Sequence, residues 1–114
     1  MDVFTALAAS TRREIVEMLA IKGRLSATDI YEKFEASPPA ISQHLKILRE
    51  AKLVKVEKLG QQRIYQIDSK GLDEFEQWAQ KMTRLWHKRF DALERLLESE
   101  KEKLHMKSKA GRNK

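Results

Sequence analysis

Apolar positions along the chain follow two rhythms, and the switch between them divides it into elements. Val3, Phe4 and Leu7 stand at helical spacing, which predicts a short helix over residues 2–9. Ser10 or Thr11 then caps a second helix, with Glu14 as capping-box partner to Thr11, Ile15, Met18 and Leu19 on its inner side, and Gly23 as its stop. Leu25 supplies one short strand. Ser26 or Thr28 caps a third helix in which Ile30 and Phe34 point inward, and Glu35-Ala36 links tightly into the next.

That next element runs over about 38–51. Ser37 suits the N-cap and Pro38 the first helical position, where a missing N–H costs nothing. Ile41, Leu45 and Leu48 recur at i, i+4 and i+7, so one side is built for burial. The rhythm then shortens. Val54, Val56, Ile64, Tyr65 and Ile67 are strand formers around a Gly60-Gln61-Gln62 turn, predicting a hairpin over about 54–67. Helical spacing returns at Leu72, Phe75, Ala79, Met82, Trp86, Phe90, Leu93 and Leu97, in steps of 3, 4, 3, 4, 4, 3 and 4. This last helix is expected over about 70–104, roughly 50 Å at 1.5 Å per residue.

Two short helices joined by a few residues and followed by a hairpin make a winged helix-turn-helix. The fold class is mainly α with a small β-hairpin wing (α+β), in one domain over residues 1–104, and the basic tail 105–114 is expected to be disordered. Some seventy residues of winged domain cannot cover the final helix. Its apolar stripe therefore asks for a partner surface, and a second copy is the simplest partner. The dimerisation set is Val3, Phe4 and Leu7 from the first helix with Phe75, Trp78, Met82, Trp86, Phe90 and Leu93 from the last. A helix folded back on its own domain would serve the same stripe.

Charge sharpens this picture. The 114 residues carry a net +6. Residues 37–66 hold six Lys/Arg (Lys46, Arg49, Lys52, Lys55, Lys58, Arg63) less two Glu, a net +4, and the segment from Lys101 holds six less one, +5. A basic middle between slightly acidic flanks suits a phosphate-facing surface. On the 38–51 helix, Pro39, Ser42, Gln43 and Lys46 fall opposite the apolar stripe, with no acid before Glu50. Any amphipathic helix has a polar outer face, but small, amide and cationic groups on a helix also fit the acceptor-rich major groove of DNA. Gln43 is the candidate base reader, since its amide can pair with N6 and N7 of adenine. Ser37 stands at the helix start. His44 lies about 60° from Ile41 around the helix, so it belongs to the edge of the core or to a phosphate. Lys58, Gln61, Gln62 and Arg63 form an acid-free wing tip suited to backbone or minor groove. Arg12 and Arg13 occupy the first turn of their helix, the wrong end for its dipole, which suggests solvent exposure or an outside anion.

Other chemistries find little here. There is no cysteine, and His44, His87 and His105 are scattered. No Gly-rich phosphate loop or histidine-supported nucleophile occurs, so no enzyme activity, metal or cofactor is expected. No apolar run has the roughly 18 residues of a membrane span, and a cytoplasmic location follows.

Three separated motifs resemble the arsenic-repressor (ArsR/SmtB) family: Phe4-Thr-Ala-Leu-Ala-Ala-Ser-Thr-Arg-Arg-Glu-Ile, Ser37 through Ala51, and Leu53-Val with the wing Gly60-Gln-Gln-Arg-Ile-Tyr. The resemblance covers roughly residues 2–100. It implies a homodimer joined through its first and last helices, which binds double-stranded DNA at an inverted-repeat operator and represses transcription. By this likeness Ser37, Ser42, Gln43, His44 and Lys46 fall in the DNA-contacting segment. Where many relatives carry metal-sensing cysteines this chain has Ser26 and Thr28, and Phe90 stands where a carboxylate would join His87. The likeness is therefore to a non-metal-sensing branch, with the effector unknown. A winged module that uses the aromatic helix to bind another protein is the alternative, and it would be monomeric and indifferent to DNA sequence.

Overall fold

The computed structural model describes the backbone of residues 1–112 and the side chains of residues 1–106. The elements are α1 (Val3–Leu7), α2 (Ser10–Lys22), β1 (Arg24–Ser26), α3 (Ala27–Glu32), α4 (Pro38–Glu50), β2 (Val54–Leu59), β3 (Gln62–Ile67) and α5 (Ser69–Arg112). They fall into two compact units, Met1–Gln77 and Trp78–Lys114. The first holds the core. Ile15, Leu19, Ile30, Ile41, Leu45, Leu48, Leu53, Val3 and Val54 are all fully buried there. Each such side chain stabilises the fold by about 1.5–3 kcal/mol through removal from water.

Val3 corrects the expected dimer set: it is 1% exposed and belongs to this core. Leu7 is half-buried against the same cluster. A five-residue helix survives only by packing, and α1 turns Val3 and Ala6 inward to do so. Asp2 caps its start, accepting from the Thr5 N–H (2.7 Å) and hydroxyl (3.1 Å), and these donors hold its carboxyl below its usual range. Arg12 and Arg13 secure its end. Arg12 Nε donates to the Ala6 carbonyl (2.6 Å) and Nη2 to that of Thr5 (3.1 Å). Arg13 Nη1 donates to the carbonyls of Leu7 (2.7 Å) and Ala8 (3.2 Å). The two arginines sit at the wrong end of α2 because they donate to the carbonyls around the C-terminal end of α1. Neither Ser10 nor Thr11 caps α2 with a side chain; Ala9 holds the N-cap position.

Gly23 ends α2 at φ +86°, and Ser26 caps α3 by accepting from the Asp29 N–H at 3.1 Å. The sheet is antiparallel in the order β1-β3-β2. Tyr65 of the central strand faces Leu25 on one side and Val56 on the other, which buries it. The three-residue β1 thus gives the hairpin a third strand and covers one edge. Between α3 and α4 the chain needs residues 33–37, a longer connection than the Glu35-Ala36 link expected.

Helix α4 ends in a Schellman arrangement. The Leu53 N–H reaches the Leu48 carbonyl (2.9 Å) and the Lys52 N–H that of Arg49 (3.1 Å), with Lys52 at φ +59°. The Lys52 carbonyl then accepts from the N–H of Gly71, in the first turn of α5, at 2.8 Å. A Cβ on Gly71 would lie 2.6 Å from that same oxygen, so only glycine allows this approach.

In the second unit α5 continues as a single helix with most of its large apolar side chains open to solvent, Trp86 at 63% and Leu96 at 61% exposed among them. The backbone of α5 extends to Arg112, eight residues past the expected end at 104. Lysine and alanine are good helix formers, and basic residues favour a helix C-terminus. The last two residues of the expected tail, and its side chains beyond Met106, lie outside the described residues. Among the described residues no helix is long and apolar enough to cross a membrane.

Candidate nucleic-acid interface

Helix α4 is amphipathic in the sense its sequence requires. Ser37 caps it, accepting from the Ala40 N–H at 3.4 Å, and Pro38 occupies the first position. Burial of Ile41, Leu45 and Leu48 anchors one side. The opposite side presents Pro39, Ser42, Gln43 and Lys46 to solvent, with Ser37 exposed at its start. Because the fold already holds the helix from behind, and Ser37 is the one polar group among these that caps it, Ser42, Gln43 and Lys46 are not needed to keep it in place.

His44 differs from them. It is half-buried, and its Nδ1 lies 3.1 Å from Arg12 Nη1. Burial first, and the Arg12 charge second, push its imidazole below the ordinary histidine range. The sequence placed His44 near the core edge but gave no hint of Arg12, which lies 32 positions earlier. Its position at the start of α2 pointed to solvent exposure or an outside anion, not to a partner within the chain.

The wing is a tight hairpin whose first loop residue, Gly60, has φ +62°, as type II′ turns require. Lys58 and Arg63 are directly paired across β2 and β3, and Leu59 pairs with Gln62 beside the turn. Like charges opposite one another weaken a hairpin, and an anion held between them relieves the repulsion. Lys58, Gln61, Gln62 and Arg63 are all exposed. Gln61, Gln62 and Arg63 also meet Thr28 and Tyr31 of α3 around a polar hollow of about 260 Å³. Further along the strands Arg24 and Glu57 form an exposed ion pair at 3.4 Å, worth at most about 1 kcal/mol.

The apolar candidates separate into two groups. Phe4 of α1 and Phe75 of α5 meet with ring centroids 5.8 Å apart, both rings partly exposed. Trp78, Trp86, Phe90 and Leu93 are exposed, and Met82 is half-buried. Among the described residues, no group of three or more His, Cys, Asp or Glu is placed to hold a metal ion.

A helix-turn-helix with an open polar helix face and a cationic wing defines a winged-helix DNA-binding regulator. Residues 9–56 match the model of the bacterial regulatory proteins of the arsR family. The HTH-type transcriptional regulator Rv2034 of Mycobacterium tuberculosis is 39% identical over 95 residues, which span 83% of this chain and 85% of that protein. The transcriptional repressor SdpR of Bacillus subtilis is 36% identical over 77 residues, spanning 68% of this chain and 84% of that one. The solved structure of an ArsR-like transcriptional regulator from Rhodococcus sp. RHA1 superposes with a TM-score of 0.76 at 29% identity, covering 85% of this chain and 88% of its own. The chain belongs to the ArsR family of transcriptional regulators.

Proposed function

We propose that this protein is a homodimeric repressor that binds an inverted-repeat operator in the cytoplasm. Helix α4 enters the major groove, with Gln43 reading a base and Ser42, Pro39 and Lys46 lining the groove wall. Ser37 and His44 contact the backbone, and Lys58, Gln61, Gln62 and Arg63 of the wing reach sugar-phosphate or the minor groove. The observation that carries this reading is the outer face of α4, polar, free of acid before its last residue Glu50 and open to solvent, while Ile41, Leu45 and Leu48 on its other side are buried. The name of the Bacillus relative, a repressor, supports the direction of regulation.

The dimer uses the apolar stripe of α5 through Trp78, Met82, Trp86, Phe90 and Leu93, and Phe4, Leu7 and Phe75 also take part. Rows of exposed tryptophan, phenylalanine and leucine of this kind are rare on a finished surface. Ser26 and Thr28 offer no thiolate, and Phe90 offers His87 no second ligand, which supports an inducing signal other than a thiophilic metal. Selection of bound duplexes from random DNA, followed by footprinting, tests the proposal. The expected result is two-fold symmetric protection with half-sites about one helical turn, or a multiple of it, apart. A monomer in sedimentation that protects no sequence would overturn it in favour of a protein-interaction module.

A further inference from the structure

Arg12 is committed in three directions at once. Its Nε and Nη2 are held by the carbonyls of Ala6 and Thr5 at the end of α1, and its Nη1 meets Nδ1 of His44 on α4. A guanidinium has donors and no acceptor. The His44 nitrogen facing it must therefore be the unprotonated one, and the proton of the neutral ring resides on Nε2. Protonating Nδ1 would set two cations and two donors face to face. On its own helix His44 is flanked by Gln43 and by Lys46 two positions on, and the charged group acting on it from a neighbouring element is Arg12 of α2. Nε2 is the nitrogen left for a contact outside the chain.

We infer that Arg12 is a positioning residue for DNA binding: anchored on α1, it fixes His44 as the Nε2–H tautomer and so presents a neutral donor to a phosphate oxygen beside the recognition helix. The inference rests on the DNA-binding reading above and deepens it. His44 contributes a directed hydrogen bond and not a charge, whereas Lys46 contributes charge. The carbonyls of α1 set where that donor stands, since they hold the arginine that holds the ring.

The test begins with free full-length protein. Nitrogen chemical shifts of the His44 ring, identified by its absence in His44→Gln, should report Nε2 protonated above pH 7 and a titration below the ordinary histidine range. Arg12→Gln should move that titration upward and populate both tautomers. In the second arm, binding to a selected operator duplex should weaken about tenfold in Arg12→Gln and His44→Ala, as expected for one hydrogen bond to a charged group. His44→Gln, whose amide can place an N–H near the Nε2 position, should stay within about threefold of the parent. Wild-type His44 protonated on Nδ1 overturns the inference. So does Arg12→Gln with unchanged titration and affinity, or His44→Gln as weak as His44→Ala. Should Arg12→Gln fail to fold, the wild-type tautomer and the two His44 variants still decide. A parent protein that binds no duplex overturns the DNA-binding reading instead, and the ring shifts of the free protein separate that outcome from a failure of Arg12 to hold His44.

Discussion

Helices α4 and α5 are both amphipathic, yet the chain treats their apolar sides in opposite ways. In α4 the stripe of Ile41, Leu45 and Leu48 is fully buried by the domain around it. In α5 the comparable stripe from Trp78 onward stays exposed, apart from half-buried Ala79 and Met82. The same periodicity thus serves two ends. A helix whose apolar side is satisfied within its own chain can turn its polar side to a ligand. One whose apolar side is unsatisfied has that side as its unfinished business, and its polar side is ordinary solvated surface. For function, the informative face of α4 is polar and that of α5 is apolar.

The largest expected effect tests that contrast directly. Leu45→Ala should lower unfolding stability by about 2–5 kcal/mol, because it leaves a cavity in a closed core. Leu93→Ala removes the same atoms from α5. It should leave the first unit's packing intact and shift the association equilibrium toward monomers, which sedimentation reads directly and denaturation reads only as a loss that depends on protein concentration. Equal losses of unfolding stability that do not change with protein concentration would erase the distinction.

Next in size is Gly71→Ala, at the point where the end of α4 meets the first turn of α5. A methyl 2.6 Å from the Lys52 carbonyl forces the two backbones apart, and a loss of about 1–3 kcal/mol is expected in urea denaturation. The third prediction separates residues within the α4 face. Gln43→Ala should cost about 1–3 kcal/mol on the operator and relax base preference at one position. Lys46→Ala should weaken all sequences alike and lower the slope of log affinity against log salt by about one. Lys58 and Arg63 should behave like Lys46.

The smallest effect concerns pH. Burial, with Arg12 second, favours the neutral form of His44 in the folded state. The unfolded chain therefore binds more protons near and below its ordinary value of about 6.5. The stabilisation from a neutral His44 is fully present above that value and declines as pH falls through it toward the depressed folded value. Thermal melts should show this decline, and His44→Gln should flatten it while α4 keeps its place.

Much of this was legible in the chain because the signals were local. Ser37, Pro38 and the Ile41-Leu45-Leu48 spacing bound α4 to within one residue at its C-terminal end, since capping and helical periodicity involve near neighbours. Strand formers around Gly60 located both strands of the wing for the same reason. The angular offset of His44 from Ile41 was enough to place it at the edge of the core. Three things required the folded molecule. Val3 had to be seen against α2 and α4 before it could be assigned to the core and not to a partner, because a five-residue helix has too few positions to show which side it buries. The pairing of β1 with β3 joins Leu25 to Tyr65 across 40 residues, a distance over which sequence pattern says nothing about register. And the arginines of α2, which looked misplaced against their own helix dipole, acquired their partners only when α1 was folded back to bring its carbonyls, and His44 was packed beside Arg12. Periodicity specifies what each segment is; which unsatisfied groups meet is decided by how the segments close on one another.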